Sequence, residues 1–314
     1  MFVSWSKFAN MKILVTGGAG FIGSHLADQL IKKGHRLTII DNLSTGKREF
    51  VNPKAKFYQL DINQAKAAEV FLIVRPEIVF HLAAQKSVSF SLKSPGQDAQ
   101  TNILGALNTI ESSLKARVKK FIFISTGGAI YGQTKLIPTP ETSPAGPNSP
   151  YGLSKLAIDN YLKYYYSRVK KLNYVSLRLA NVYGPRQDAA SEAGVVALFV
   201  SNLLKNKRCL INGSGNQTRD FIYVDDVVSA CLKSISSGRG IYNIGTGIET
   251  SINSLYSLIA SLIIKKEISH RPVVSGEVFR SALKTVKAKK ELGWSKRIDL
   301  AAGVKKTINY FQSI

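Results

Sequence analysis

The stretch "PYGLSK" sets Tyr151 and Lys155 four residues apart, about one turn of a helix, so both side chains share a face. A tyrosine near its ordinary pKa of about 10 is a poor base at neutral pH, and an ammonium beside it lowers that value by stabilising the phenolate. Such a pair can take the proton of a hydroxyl group. Upstream, "FISTGGAIYG" ends an apolar run in Ser125 and Thr126. Either hydroxyl can hydrogen-bond a substrate hydroxyl or the ketone made from it. Alone, Y-x-x-x-K is also a common surface pair, and Ser-Thr at a strand end also serves as a cap or turn. A second signal decides between these readings.

That signal is the glycine cluster "LVTGGAGFIGSH" at 14–25. Gly18, Gly20 and Gly23 give G-x-G-x-x-G, while Gly17, Gly20 and Gly23 give G-x-x-G-x-x-G. In either form the backbone around Gly20, Phe21 and Ile22 approaches a pyrophosphate at the start of a helix. Asp41 lies 18 residues beyond Gly23, at the end of the next strand, where a carboxylate bonds ribose hydroxyls. A carboxylate there repels a 2′-phosphate, so NAD is expected rather than NADP, with Lys47 and Arg48 close by in sequence. A tight turn with a capping Asp is the bland alternative. Asp61, ending "QLD", is expected near the adenine edge. The positive ring of an oxidised nicotinamide would add to Lys155 in lowering Tyr151.

The elements that carry these residues alternate. Strands are predicted at "KILVTG", "RLTIID" (36–41), "FYQLDI" (57–62), "EIVFHLAA" (77–84), "KFIFIST" (120–126) and "YVSLRLANV" (174–182), separated mostly by helical stretches, the first at 20–33. Apolar strands without alternation, interleaved with helices, predict an α/β fold with a doubly wound parallel sheet. Residues 138–150 hold five of the ten prolines and read as an extended loop leading directly to Tyr151. Beyond about 185 the rhythm loosens. The expected organisation is an extension over 1–10, a Rossmann domain over 11–184 to which some later segments return, and a smaller α/β substrate lobe over 185–314, with a substrate cleft between the lobes.

Composition narrows the classes. The 45% hydrophobic content is that of a soluble globular chain, and no apolar run is long enough to span a bilayer. Cys209 and Cys231 suit neither a disulfide framework nor a zinc site, so a cytoplasmic setting is expected. The first ten residues lack the apolar core of a signal peptide. A net charge of +23 favours anionic partners, but the basic residues are scattered, as at Lys119–Lys120 and Lys170–Lys171. The expectation is a solvated lysine-rich surface with no specific nucleic-acid partner.

These motifs, with "DNLSTG", "HLAAQKSV", "LRLANVYGPRQ", "SEAGVV", "GSGNQTRDFIYVDDV" and "YNIGTG", resemble the extended short-chain dehydrogenases/reductases. Within them the chain is similar to the sugar-nucleotide epimerases typified by UDP-glucose 4-epimerase, over nearly its whole length after Met11. The resemblance selects Gly17, Gly20 and Gly23. It implies cofactor contacts at Asn42, Ile62, Leu82, Ala83, Ala84, Lys86 and Asn102. It also implies a sugar-nucleotide site of Lys86, Thr126, Asn181, Val195, Asn212, Arg219, Arg280 and Ser281. For Arg219 the bland reading is an ion pair with Asp220, Asp225 or Asp226.

Two departures stand out. Many such epimerases have Ser or Thr where Gly127 lies, and Val274 occupies the place of a diphosphate-gripping arginine, leaving Arg271 and Arg280 as substitutes. Strict hexose epimerases wall the sugar's C2 substituent with a tyrosine; counting from Gly276–Glu277, that position is Ser281. The resemblance implies an NAD-dependent 4-epimerase of a UDP-hexose, the N-acetylhexosamine forms included, working as a homodimer. A 4,6-dehydratase, a decarboxylase and a UDP-uronate epimerase are the alternatives within the family. A non-catalytic polyanion-binding protein is the alternative outside it.

Overall fold

In the computed structural model, which describes residues 10–189, 194–264, 266–272 and 278–314, seven strands form one parallel sheet. They are β1 (Lys12–Thr16), β2 (Arg36–Asp41), β3 (Lys56–Gln59), β4 (Ile78–His81), β5 (Lys120–Thr126), β6 (Tyr174–Leu179) and β7 (Gly240–Ile244). Consecutive residues of β1, β4 and β5 are buried, because helices cover both faces of the sheet. Leu14, Val79, Phe121 and Phe123 pack on one side with Ile110 and Ile158 from two of those helices.

The spatial order is β7-β6-β5-β4-β1-β2-β3, which reverses direction between β1 and β4. In an open parallel sheet, that reversal leaves a crevice beyond the strand ends, because the connections leave on opposite faces. Thr16 is paired with Ile40 and with His81, so β1, β2 and β4 end level. Their three exits, at Gly17, Asp41 and Leu82, therefore meet at one edge.

Three strand boundaries differ from expectation. β3 ends at Gln59, which puts Asp61 in the following turn, and β4 ends at His81 rather than Ala84. The run 174–182 is two strands. Ala180 N donates to Ile244 O, but Asn181 N donates to Asp220 O, so the chain changes partners between adjacent residues. Asn181–Tyr183 then pairs in parallel with Phe221–Tyr223 in a small sheet of its own.

By contacts the chain divides into two interleaved units. The first takes the chain up to Ser125, then Pro150–Leu177 and Val228–Tyr242. The second comprises Thr126–Ser149, Arg178–Val227 and Asn243–Ile314. In the second unit Thr139 threads beside Ala282 and Lys284 through backbone hydrogen bonds, so the proline-rich segment is fixed without becoming helix or strand. Trp294 is buried and donates Nε1–H to Asp226 O at 2.9 Å. The Asp226 carboxylate accepts from Arg297 N and Ile298 N, which anchors the approach to the last helix, Leu300–Gln312. Among the described residues no helix is long and apolar enough to cross a membrane.

Candidate active site

The glycine loop is shaped by close approach. Gly17 has φ +74°, and a Cβ there would lie 2.6 Å from Ala83 N. A Cβ on Gly23 would overlap the Gly17 carbonyl, so the helix Phe21–Lys32 rests directly on the loop. Gly20 differs, since the only atom its Cβ would meet is Gly17 O, at 3.3 Å. It is the N-cap of that helix, with no side-chain cap and no acid in the first turn. Backbone N–H groups at Phe21 and Ile22 are thus left without the usual capping acceptor, and no carboxylate of the helix's first turn opposes an anion. An open glycine and an uncapped helix start fit a pyrophosphate.

Asp41 is buried and already employed. Its Oδ2 accepts from Ala19 N and its Oδ1 from Leu43 N, each at 2.9 Å, so it fastens the glycine loop to the end of β2. A carboxylate offers about four acceptor directions, which leaves some for ribose hydroxyls. Asp61 accepts from Asn42 Nδ2 at 2.7 Å and from Asn63 N at 2.8 Å, tying the second and third strand exits together. Arg48 lies over the Phe57 ring and Lys47 pairs with Glu49, so both cations have local partners. Leu82 and Ala83 donate to Thr16 O and Oγ1, and with Ala84 they form a half-buried run beside Gly17.

Two residues assigned to the cofactor also have work within the fold. Ile62 is a core side chain packed against Gly105. Asn102 is buried and spends its amide internally, donating to Gln85 O and Asp98 Oδ1 while accepting from Gln85 N. Its work is to shape the loop after β4, on which Lys86 stands exposed.

The helix Pro150–Asn160 carries Tyr151 half-buried and Lys155 buried, and it loosens into π geometry over Tyr161–Tyr166. Lys155 Nζ donates to Ile124 O at 3.1 Å and lies 4.8 Å from the Phe123 ring centre. Burial lowers the ammonium, which Asp159 and Asp98 partly offset, and the net position is about 8. Tyr151 is pushed above its ordinary value by burial and then by Asp98. Burial and Asp98 thus oppose the downward pull expected from Lys155. His81, stacked between Phe121 and Phe123 and joined to Thr16 Oγ1 at 2.8 Å, is kept neutral, its pKa lowered to about 3 by burial and by Lys155.

Ser125 and Thr126 separate here. Ser125 is buried and donates to Asp159 Oδ2 at 3.3 Å, whereas Thr126 is half exposed at the end of β5. Gly127 follows under Leu283, whose methyl carbons would lie 2.6 Å from a Cβ there. Ser281 Oγ would be 3.5 Å from a Cβ on Gly128, so Ser281 borders the turn just after Thr126. Val274 and the pair Gly276–Glu277 lie outside the described residues.

The remaining polar candidates are anchored by local partners. Arg219 donates Nη1–H to Thr218 O at 2.8 Å. The Asp220 carboxylate accepts from Thr246, Gly247 and Leu283, and Asp226 from Arg297 and Ile298. Arg280 forms a fork with Glu249, Nε to Oε1 at 2.9 Å, and Arg271 bonds Asn212 Oδ1. Asn181 and Val195 are half-buried, one opening a short strand and the other a helix. Sequence reading passed over Asp98, Asp159 and Glu249. Asp159 was legible as the residue four beyond Lys155, on the same helix face. The contacts of Glu249 span 31 residues, and Asp98 joins its neighbour Asn102 to Gln85 and to Ser154, 56 residues on.

A doubly wound sheet, a glycine loop at its switch point and a Tyr–Lys pair on one helix face define a dinucleotide-dependent enzyme of the extended short-chain type. The chain matches the NAD dependent epimerase/dehydratase family over residues 13–245. It is similar to a UDP-glucose 4-epimerase from Thermotoga maritima solved with UDP-glucose, at 48% identity and a TM-score of 0.95, covering 96% of this chain and 99% of that one. A UDP-glucose 4-epimerase from Thermus thermophilus in complex with NAD is 38% identical with a TM-score of 0.92, at 96% and 99% coverage. A UDP-N-acetylglucosamine 4-epimerase from Methanobrevibacter ruminantium, in complex with UDP-N-acetylmuramic acid, is 33% identical with a TM-score of 0.92, at 97% and 99% coverage. The chain belongs to the NAD-dependent epimerase/dehydratase family.

Asp41→Asn tests the anchored loop. An amide presents one acceptor where the carboxylate presents two, so one buried N–H is left unpaired at a cost of about 1–3 kcal/mol. NAD(H) released on denaturing the purified variant, measured by mass spectrometry, should fall about tenfold. Retention at the parent level would remove Asp41 from that role.

Proposed function

We propose that this chain is a UDP-hexose 4-epimerase, an isomerase with no net redox change. The observation that carries the reading is a half-buried Tyr151 and a buried Lys155 on one helix face, in a chain whose glycine loop leaves room at Gly20. Tyr151 takes the proton of the C4 hydroxyl as that carbon becomes a ketone, and returns it after the sugar has turned about its diphosphate. NAD, when bound, supplies the hydride acceptor for that oxidation and a positive ring that opposes the upward push on Tyr151. Thr126, the half-exposed hydroxyl, assists the proton transfer, while Ser125 stays committed to Asp159. Lys155 stabilises the phenolate. Asn181, Asn212, Val195 and Arg219 are the proposed sugar-nucleotide contacts. Arg280 is a diphosphate ligand that must first leave Glu249.

Relatives that perform 4,6-dehydration carry an acid after the catalytic Thr to assist loss of water. Here Gly127 and Gly128 follow Thr126, and Leu283 fills the space a side chain at Gly127 would need. That contact favours epimerisation over dehydration and over decarboxylation. The proposed setting is the cytoplasm, where the two buried thiols Cys209 and Cys231 stay reduced.

A second copy of this chain is the proposed partner. Leu153, Tyr161 and Tyr164 are exposed along the Tyr151 helix and its extension, as is Leu104 on a neighbouring helical segment. Sedimentation equilibrium should give a dimer for the parent and a monomer for Leu153→Asp; a monomeric parent refutes the pairing.

Two further outcomes are expected. Tyr151→Phe keeps the ring and removes the base, so interconversion of UDP-glucose and UDP-galactose should fall about 10²–10⁴-fold, read by chromatography. A few-fold loss would exclude Tyr151 from proton transfer. Ser281 leaves room for a 2-acetamido group, so the parent should also interconvert the UDP-N-acetylhexosamines. In kcat/KM, Ser281→Tyr should suppress the acetamido substrate and spare the plain hexose, and equal effects on both would sink the assignment.

A further inference from the structure

The buried carboxylate of Asp220 is a junction in the second unit that the reaction above does not use. Its Oδ1 accepts from Thr246 N at 2.8 Å and from Thr246 Oγ1 at 2.6 Å. Its Oδ2 accepts from Gly247 N at 3.0 Å and from Leu283 N at 3.1 Å. A carboxylate offers about four acceptor directions, so these four donors occupy it and leave none for a ligand. Gly245 lies so close that a Cβ there would overlap Oδ2, which fixes where the carboxylate points. Asp220 therefore acts through what its donors carry.

Leu283 is held from both edges. Its own N–H goes to Asp220, while the flanking Ala282 O and Lys284 N bond Thr139 on the other side, as alternate backbone groups of an extended chain do. Four residues earlier, Phe279 O accepts from Thr218 N at 2.9 Å. Arg280 and Ser281 lie between these two anchors. Both anchors come from the stretch 218–220, whose middle residue is Arg219. The Asp220 carbonyl in turn accepts from Asn181 N at 2.8 Å. One residue thus joins the segments that carry Asn181, Arg219, Arg280 and Ser281. Leu283, the side chain that fills the space at Gly127, hangs on the same anchor.

We propose that Asp220 is a positioning residue of the sugar-nucleotide site. Its carboxylate and carbonyl set the register among the segments that carry Asn181, Arg219 and Ser281, and thereby the shape of the pocket the sugar enters. That the pocket takes a UDP-hexose rests on the epimerase reading; the register itself does not. A carboxylate does here what an amide cannot. In asparagine one oxygen becomes an NH2 group, which would point its hydrogens at Thr246 N–H or at the N–H groups of Gly247 and Leu283. Either orientation drives donor from donor, and burial denies the displaced N–H groups a replacement from water. Asp226 provides the contrast. It is also buried in the second unit, but its carboxylate holds Arg297 and Ile298, at the approach to the last helix, and none of these segments.

The test compares Asp220→Asn with Asp226→Asn in the full-length protein. In Asp220→Asn, KM for UDP-glucose should rise about tenfold or more, with kcat within about threefold of the parent and NAD(H) content unchanged. Asp226→Asn should lower Tm and leave KM at the parent value. Hydrogen exchange, read by mass spectrometry without substrate, supplies a second measure. Peptides covering 279–285 should exchange about tenfold faster in Asp220→Asn and at the parent rate in Asp226→Asn. Gly245→Ala pushes a methyl group against Oδ2 and keeps the charge, so it should reproduce both effects, and it decides if Asp220→Asn does not fold. An unchanged KM in folded Asp220→Asn, whatever happens to kcat, overturns the proposal. So does an equal rise in Asp226→Asn, or exchange that stays at the parent rate in Asp220→Asn. A protein inert toward UDP-hexoses would defeat the epimerase reading, while the exchange rates still judged the anchor.

Discussion

Helix Phe21–Lys32 and the exits of β1 and β4 approach so closely that no side chain fits between them. Gly17 presses against the backbone at Ala83, and Gly23 presses against the carbonyl of Gly17. That contact brings the start of a helix to the edge of the sheet at the place where the strand order reverses. The direction of the helix dipole, the open face at Gly20 and the anchoring of Ala19 by Asp41 all follow from it. A methyl group at Gly17 or Gly23 would force the layers apart and remove the geometry that suits a pyrophosphate.

Around this frame the sheet creates an electrostatic problem and distributes its solution. Burial raises Tyr151 and lowers Lys155, so each is driven toward its neutral form. Asp98 and Asp159 counter the effect at the lysine, and hydroxyls from Ser125, Ser154 and Ser176 counter the cost of burying the carboxylates. His81 sits below as a neutral ring held by Thr16 and two phenylalanines, adding polarity without charge. Ser125 belongs to this supporting layer and Thr126 does not. Adjacent side chains on a strand point to opposite faces, and only one of them meets the buried acid.

In the second unit polar groups are held in reserve by one another. Glu249 gathers Arg280 and the Thr218 hydroxyl, and Asn212 holds Arg271. Arg280 is exposed in its pair with Glu249, so solvent screens the attraction between the two charges. Leu283 against Gly127 is a packing constraint with a chemical result, because it leaves Thr126 as the polar side chain at that strand end.

The sequence by itself determined the alternation of strands and helices, the glycine loop, the placing of Asp41, and the Tyr151–Lys155 face. Each depends on spacing within one strand, one turn or one helix, and periodicity survives in a linear string. Tertiary structure decided what those groups touch. Asn102 matched a cofactor position, and its amide is also joined to Gln85 and Asp98. Arg280 was a free cation on paper and is an ion pair in space. The strand read through to Val182 breaks at Ala180 because a new partner, Asp220, is supplied from forty residues away. Asp98 stands four residues before its partner Asn102, but its bonds to Gln85 and Ser154, which join three separate stretches, exist only in the packed chain. Burial and long-range pairing are properties of the packed chain, and they decide whether a polar side chain serves a ligand or the fold.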